Sequence, residues 1–308
     1  MEKLIQAKGL VKTFEQKTAV NDLSLEVRAG EIYGLVGPDG AGKTTTMRLI
    51  CGALEADCGE VIIYGHTLSE NPDAAREHLG YLPQKFSLYE ELTVLENIRF
   101  FAEVRGIPTR EWKERSMKIL DFVGLMDFIH RRAGYLSGGM KQKLGLATAL
   151  VHNPKVLLLD EPTSGVDPVT RQDFWQLIIR LVTEEQISVL VSTPYMDEAT
   201  RCTQVGFMKG GKLILEDKPK VLRERLNGRI LELRGDPLKK LRFLAEAIDG
   251  VEGVQAFGDK LHLRTQAYYA TAVIETLTVN ARKEGVEVHR LDFVQPTLED
   301  VFIELLER

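Results

Sequence analysis

Cysteine, basic excess and long apolar runs are all scarce in this 308-residue sequence. Its 3 cysteines, Cys51, Cys58 and Cys202, are an odd set spaced far wider than a C-x-x-C pair, and no histidine is placed to complete a metal site. They are expected to be small buried or half-buried thiols in a reducing compartment. Lys and Arg total 40 against 45 Asp and Glu, a formal net charge of −5. A nucleic-acid binder usually carries a basic domain or stripe, so no nucleic-acid partner is expected. No stretch approaches the roughly 18 uninterrupted apolar residues that a membrane-crossing helix requires. The start, Met1-Glu2-Lys3-Leu4-Ile5, lacks the apolar core of a secretory signal. The chain is therefore expected neither to cross a membrane nor to be exported. Internal repeats and low-complexity tracts are missing too.

What is present is a globular composition, 44% hydrophobic. The length suits two domains of roughly 100–200 residues each. Up to about Asn227, short apolar strands alternate with helical segments, the pattern of an α/β fold with a largely parallel sheet. Ile32-Tyr33-Gly34-Leu35-Val36, Val156-Leu157-Leu158-Leu159 and Val189-Leu190-Val191 are continuous apolar runs, as in strands buried on both faces. After the first run, Met47, Ile50, Cys51 and Leu54 share one face of a helix. Before it, Ala19 to Val27 alternates like a half-exposed antiparallel strand. From Thr93 to Val123 helix follows helix, with a break at Gly106-Ile107-Pro108. A helical subdomain over about residues 90–152 is expected. Asn227-Gly228 reads as a hinge, dividing the chain into 1–227 and a smaller α+β domain over 228–308. In that domain Arg229 to Arg234 reads as a strand, as does Leu261 to Arg264. Leu238, Leu241, Ala245 and Ile248 mark one helix, and Val273, Ile274, Leu277 and Ala281 another. Val286 and Val288 mark a last strand.

Gly37-Pro38-Asp39-Gly40-Ala41-Gly42-Lys43-Thr44 satisfies G-x-x-x-x-G-K-[ST], with a buried strand before it and an amphipathic helix after it. The glycines permit backbone angles that turn successive N–H groups toward a phosphate, and the helix that follows adds its positive end. A nucleoside triphosphate is expected here, held by residues 37–44 and the adjoining Thr45. Lys43 would set its charge on the β- and γ-phosphates, and the Thr44 hydroxyl would ligate Mg²⁺. Val156 to Leu159 runs straight into Asp160-Glu161. Carboxylates at the end of a parallel strand beside a phosphate loop suit Mg²⁺ and a hydrolytic water. Asp160 would hold the metal, directly or through water, and Glu161 would take a proton from the attacking water.

Leu136-Ser137-Gly138-Gly139-Met140, followed by a helix carrying Leu144, Ala147 and Val151, lies between the phosphate loop and Asp160-Glu161-Pro162-Thr163. This order resembles ATP-binding-cassette (ABC) ATPases, over about Leu4 to Leu226. The resemblance implies a P-loop NTPase core, a RecA-like and mostly parallel sheet joined by antiparallel β and helical subdomains. It implies further roles. Phe14 resembles the aromatic that stacks on adenine. Gln84, in Tyr81-Leu82-Pro83-Gln84, resembles the glutamine that contacts Mg²⁺ and water and senses the membrane subunit. Phe86, Leu88 and Tyr89 follow where a permease helix docks. Ser164-Gly165-Val166-Asp167 resembles the loop crossing a dimer interface. The closing Pro296 to Ile303 resembles the end of an accessory domain found on cassettes that serve exporters with separate permeases.

As implied by the resemblance, two cassettes pair head to tail, and Ser137, Gly138 and Gly139 of one cap the ATP on the phosphate loop of the other. The partner cassette is the same chain or a sister. Transmembrane permease subunits would bind through the Gln84 region, placing the chain at the cytoplasmic face of the cell membrane. Asp39 stands where the family commonly has Asn, and Met140 where it often has Gln. Pro194, in Val191-Ser192-Thr193-Pro194-Tyr195, stands where the family normally has a histidine reaching the γ-phosphate. Proline has neither a polar side chain nor an N–H to offer. Three readings follow: an exporter ATPase, a soluble cassette acting on ribosomes or DNA, and a weakly hydrolysing cassette beside an active sister. Under the first, Tyr195, a water or the permease would supply the missing contact.

Overall fold

The alternating segment ahead of the phosphate loop pairs with the one before it. β1 (Lys3–Phe14) and β2 (Lys17–Arg28) form an antiparallel ladder in which Ile5 faces Val27 and Leu10 faces Leu23. The structure, a computed structural model, describes residues 2–85 and 88–307. From β3 (Ile32–Val36) the chain enters α1 (Lys43–Ile50), which buries Met47 and Ile50. The helix stops there, so Leu54, expected on the same face, lies beyond it and packs on the core from a loop.

β4 (Cys58–Ile63) lies antiparallel to β1 and to β5 (His66–Thr67), completing a sheet of order β2-β1-β4-β5. Cys58 opens β4 at its solvent-exposed end, unlike the buried Cys51 and Cys202, and so departs from the expectation of covered thiols. Burial pushes the Cys51 and Cys202 thiols up. Next come α2 (Pro72–Glu77) and β6 (Leu79–Leu82). The helical insertion follows as α3 (Val94–Val104), α4 (Thr109–Phe122) and α5 (Gly138–Leu150). Thr93 and Glu96 close a capping box on α3, and Gly106, at φ 71°, breaks the chain before α4.

β7 (Val156–Asp160), α6 (Pro168–Thr183), β8 (Ser188–Thr193), α7 (Met196–Ala199), β9 (Gln204–Lys209) and β10 (Lys212–Asp217) complete this part. The main sheet runs β10-β9-β3-β8-β7-β6, and β9, β3, β8, β7 and β6 are parallel, neighbour to neighbour. Every residue of β3, β7 and β8 is buried, as their continuous apolar runs require. Each Leu or Val enclosed this way contributes about 1.5–3 kcal/mol. Parallel register brings Val36, Asp160 and Thr193, the last residues of three adjacent strands, to one end of the sheet. Ligands of open α/β sheets bind at that end.

Contacts divide the chain into two compact units, 1–216 and 217–308. Asn227-Gly228 lies inside the second, with Gly228 at φ 70°. This unit comprises α8 (Pro219–Glu224), β11 (Ile230–Asp236), α9 (Leu238–Glu246), β12 (Val251–Phe257), β13 (Lys260–Thr265), α10 (Ala270–Lys283), β14 (Glu287–Phe293) and α11 (Leu298–Glu307). Its antiparallel sheet, β12-β13-β11-β14, shares a core with α9 and α10 built on Leu233, Leu241, Leu263 and Leu277. β12 escapes sequence reading because it is an edge strand with no fully buried residue. Among the described residues no helix is long and apolar enough to cross a membrane.

Candidate functional site

The loop from Gly37 to Gly42 joins β3 to α1 across a crowded floor. A methyl group at Gly37 would run into the Met208 carbonyl oxygen, and one at Gly42, at φ 107°, into that of Ala19. Only glycine fits either place. Lys43, the first residue of α1, is buried, and its Nζ donates to the carbonyls of Gly37 at 2.9 Å and Pro38 at 3.2 Å. The same Nζ lies 3.1 Å from Glu161 Oε1. Asp39 and Gly40 are exposed at the tip of the loop, and Ala41 is buried beneath it.

Asp160 ends β7 completely buried. Its Oδ1 accepts from Ser192 Oγ at 2.6 Å and from Thr44 Oγ1 at 3.2 Å, while its buried Oδ2 has no hydrogen-bond partner among the described residues. An orphaned carboxylate oxygen beside a threonine hydroxyl suits a hard divalent cation. Among the described residues no cluster of three or more His, Cys, Asp or Glu forms a metal site. Mg²⁺ needs none, since it binds through one or two protein groups together with waters and phosphate oxygens. Glu161 follows in the left-handed region, φ 48°. Such strain costs a side-chain-bearing residue about 1–3 kcal/mol. Its N–H is fixed by Ser192, whose Oγ accepts at 3.0 Å and carbonyl at 3.2 Å. Its carboxylate takes Lys43 on one oxygen and Gln84 Nε2, at 2.8 Å, on the other.

Lys43, Thr44 and Glu161 face a cleft of about 450 Å³, which Phe14, Asp39, Gly40, Thr45 and Gln84 also line. Phe14 is 46% exposed at the end of β1, with Lys12 Nζ 5.8 Å from its ring centre, so it is not core. Lys17 and Ala19 line the cleft as well, and the sequence reading missed both. The signal was the hairpin, which sets Lys17 opposite Phe14.

Ser137, Gly138 and Gly139 do not line this cleft. Ser137 caps α5, its Oγ accepting from Met140 N at 3.3 Å, and Gly138 is open to solvent. Pro194 is half-buried just past β8, and the Tyr195 ring lies 4.3 Å from the Arg171 guanidinium. Tyr89 is 48% exposed and meets Phe100 edge-on at 4.6 Å. Phe86, from the same expected docking surface, lies outside the described residues. Buried Asn97 shapes this surface: its Nδ2 donates to the carbonyls of Tyr89, Leu92 and Thr93, and its Oδ1 accepts from Tyr89 N. Neither Asn97 nor Ser192 was singled out from sequence, because their partners are identified only by the fold.

Residues 20–164 match the sequence family described as ABC transporter. The chain is 40% identical, over 98% of its length, to the "Probable multidrug ABC transporter ATP-binding protein YbhF" of Escherichia coli (strain K12), and spans about half of that protein (52%). It is 30% identical to the "Linearmycin resistance ATP-binding protein LnrL" of Bacillus subtilis (strain 168), covering 99% of each. It is 35% identical to the "Nod factor export ATP-binding protein I" of Rhizobium sp. (strain N33), covering 99% of this chain and 97% of that one. Solved structures agree. The ATP-binding subunit of an ABC transporter superposes with a TM-score of 0.65 at 28% identity, over 72% of this chain and 92% of that chain. A dimeric, post-hydrolysis ATP-binding cassette bound to ADP and Pi gives 0.64 at 27% identity, over 70% and 98%. Its phosphate loop, its acidic strand end and these relatives agree: the chain belongs to the ABC transporter family and carries that family's ATPase domain, on a P-loop NTPase fold.

Proposed function

We propose that this chain is the ATP-hydrolysing subunit of an ABC exporter, driving a separate transmembrane permease from the cytoplasmic face of the membrane. The observation that carries the reading is the convergence of Lys43, Thr44, Gln84 and Glu161 on one cleft, with buried Asp160 hydrogen-bonded to Thr44 and its Oδ2 unpartnered among the described residues. Phe14 stacks on the adenine, and residues 37–45 enclose the phosphates. Lys43 has Glu161 for a partner and would exchange it for phosphate oxygens, so nucleotide binding releases the carboxylate that then accepts a proton from water. Thr44, Asp160 and Gln84 would hold Mg²⁺, which supplies charge neutralisation on the phosphates. Ser137, Gly138 and Gly139 present the N-terminus of α5 to the nucleotide of a second cassette, identical or sister. The relatives named for export and multidrug transport support the transport role. The net charge of −5 supports a partner other than nucleic acid.

A second reading, a weakly hydrolysing cassette beside an active sister, rests on Pro194. Both readings retain the site, and one pair of variants tests it. Lys43→Ala is expected to abolish ATP binding by calorimetry. Glu161→Gln is expected to bind ATP normally, stop hydrolysis and accumulate as a closed dimer on gel filtration with ATP and Mg²⁺. Parent affinity in the first, or parent turnover in the second, would overturn the assignment.

A further inference from the structure

Glu198, on α7, is a carboxylate that the roles above leave unused, and it is 1% exposed. Both of its oxygens are engaged by hydroxyls of other segments. Thr163 Oγ1 donates to Oε1 at 2.6 Å, and Thr193 Oγ1 donates to Oε2 at 2.6 Å. Thr163 belongs to the loop that begins at Glu161, and Thr193 immediately precedes Pro194. Both threonines are 1% exposed, so neither bond is easily exchanged for water. Thr193 is tied further: its Oγ1 accepts from Tyr195 N at 3.0 Å, and its carbonyl accepts from Gly37 N at 3.4 Å. Among the described residues this carboxylate faces one cation, Arg171, whose Nε lies 3.6 Å from Oε1 and whose guanidinium covers the Tyr195 ring. A carboxylate this enclosed persists only when its hydrogen bonds are made, which makes the bridge rigid.

We propose that Glu198 is a positioning residue for hydrolysis. Its carboxylate staples the loop carrying Glu161 to the loop carrying Pro194, so that base and phosphate-facing loop keep one geometry. The strained backbone at Glu161 needs such support from its surroundings. Ser192 fixes the same loop from the strand side, and Glu198 fixes it two residues beyond Glu161. The inference rests on the reading of Glu161 as the base.

The test uses the full chain, with single-turnover ATP hydrolysis at excess protein and deuterium uptake read by mass spectrometry. Thr193→Val removes one arm of the staple and is expected to slow hydrolysis about ten- to a hundredfold, the size of loss that misplacement by about an ångström produces. ATP affinity should hold, and Thr193→Ser, which keeps the hydroxyl, should hydrolyse like the parent. Deuterium uptake should rise in the distant loop, residues 161–166, as well as around the substitution. Thr163→Val, cutting the other arm, should raise uptake over 193–198, and it serves alone if Thr193→Val does not fold. Parent rate with unchanged uptake in the opposite loop would overturn the proposal. So would a loss of ATP affinity in Thr193→Val as large as its loss of rate. Glu161→Gln, run in parallel, separates the two layers. Continued turnover there sinks the reading of the site, while arrest there with parent rate in the threonine variants sinks the staple alone.

Discussion

Pro194 brings no polar group to a phosphate, and the residue before it is already committed to Glu198. Its other neighbour, Tyr195, packs its ring under Arg171. Pro194→His is therefore expected to raise ATP turnover by up to about 10²-fold, the lower range for one preorganised polar group at a hydrolytic site. The rate is measured on the folded variant alone and with any sister cassette. A parent that already turns over briskly as a homodimer and gains nothing from histidine would show that the site lacks nothing. The residues proposed to touch nucleotide are legible in the sequence because they lie in contiguous stretches with fixed spacing, Gly37 to Thr44 and Asp160-Glu161. The residues that hold them are not. Ser192 meets Asp160 between neighbouring parallel strands, and Glu198 meets Thr163 from a separate helix, so no local spacing announces either pair.

Strands β3, β7 and β8 were readable from their apolar runs, and the helices of the insertion from Thr93 to Val123 by their break at Gly106. How the chain just past α5 is tied to β6 was not readable, since one tie is a side chain, that of His152, whose partner only the fold identifies. His152 Nε2 lies 3.0 Å from the Leu79 carbonyl and must donate to it, which leaves the buried Nδ1 without a partner among the described residues. Burial first, then the Arg105 guanidinium, push its pKa down from 6.5 to about 4. The unfolded chain takes up this proton near pH 6.5, and the folded one resists until about pH 4. Stability that is complete above pH 6.5 is therefore lost as the pH falls through that window. His152→Gln is expected to retain about 2 kcal/mol more of its neutral-pH stability at pH 5 than the parent retains. Urea melts at pH 7.5 and pH 5 check it, and equal losses in both proteins would count against this account of His152.

At the scale of the whole molecule, the chain forms two compact units. Every residue proposed to meet nucleotide falls within 1–216, while the second unit has its own core and a capped last helix. That helix is tied inward by Asp300, whose Oδ1 lies 2.9 Å from His262 Nδ1. A chain ending near Asn227 is accordingly expected to bind ATP with parent affinity in calorimetry and to associate or couple poorly with its partners. Loss of ATP binding in a folded truncation would show that the nucleotide domain extends further. The alternating and helical patterns of the second unit were legible in sequence, but its edge strand β12 was not, for want of a buried face. The odd cysteine count also acquires a use once the fold is known. Cys51 and Cys202 are enclosed, with thiols that burial makes reluctant to ionise, whereas Cys58 stands in solvent opposite Val11 on the strand that ends at Phe14. A maleimide dye added to the unaltered protein would settle on Cys58, giving one fluorophore per chain on β4, beside the strand whose end carries Phe14. Nucleotide arrival and the meeting of two cassettes then become changes in emission and energy transfer, read without altering a single residue.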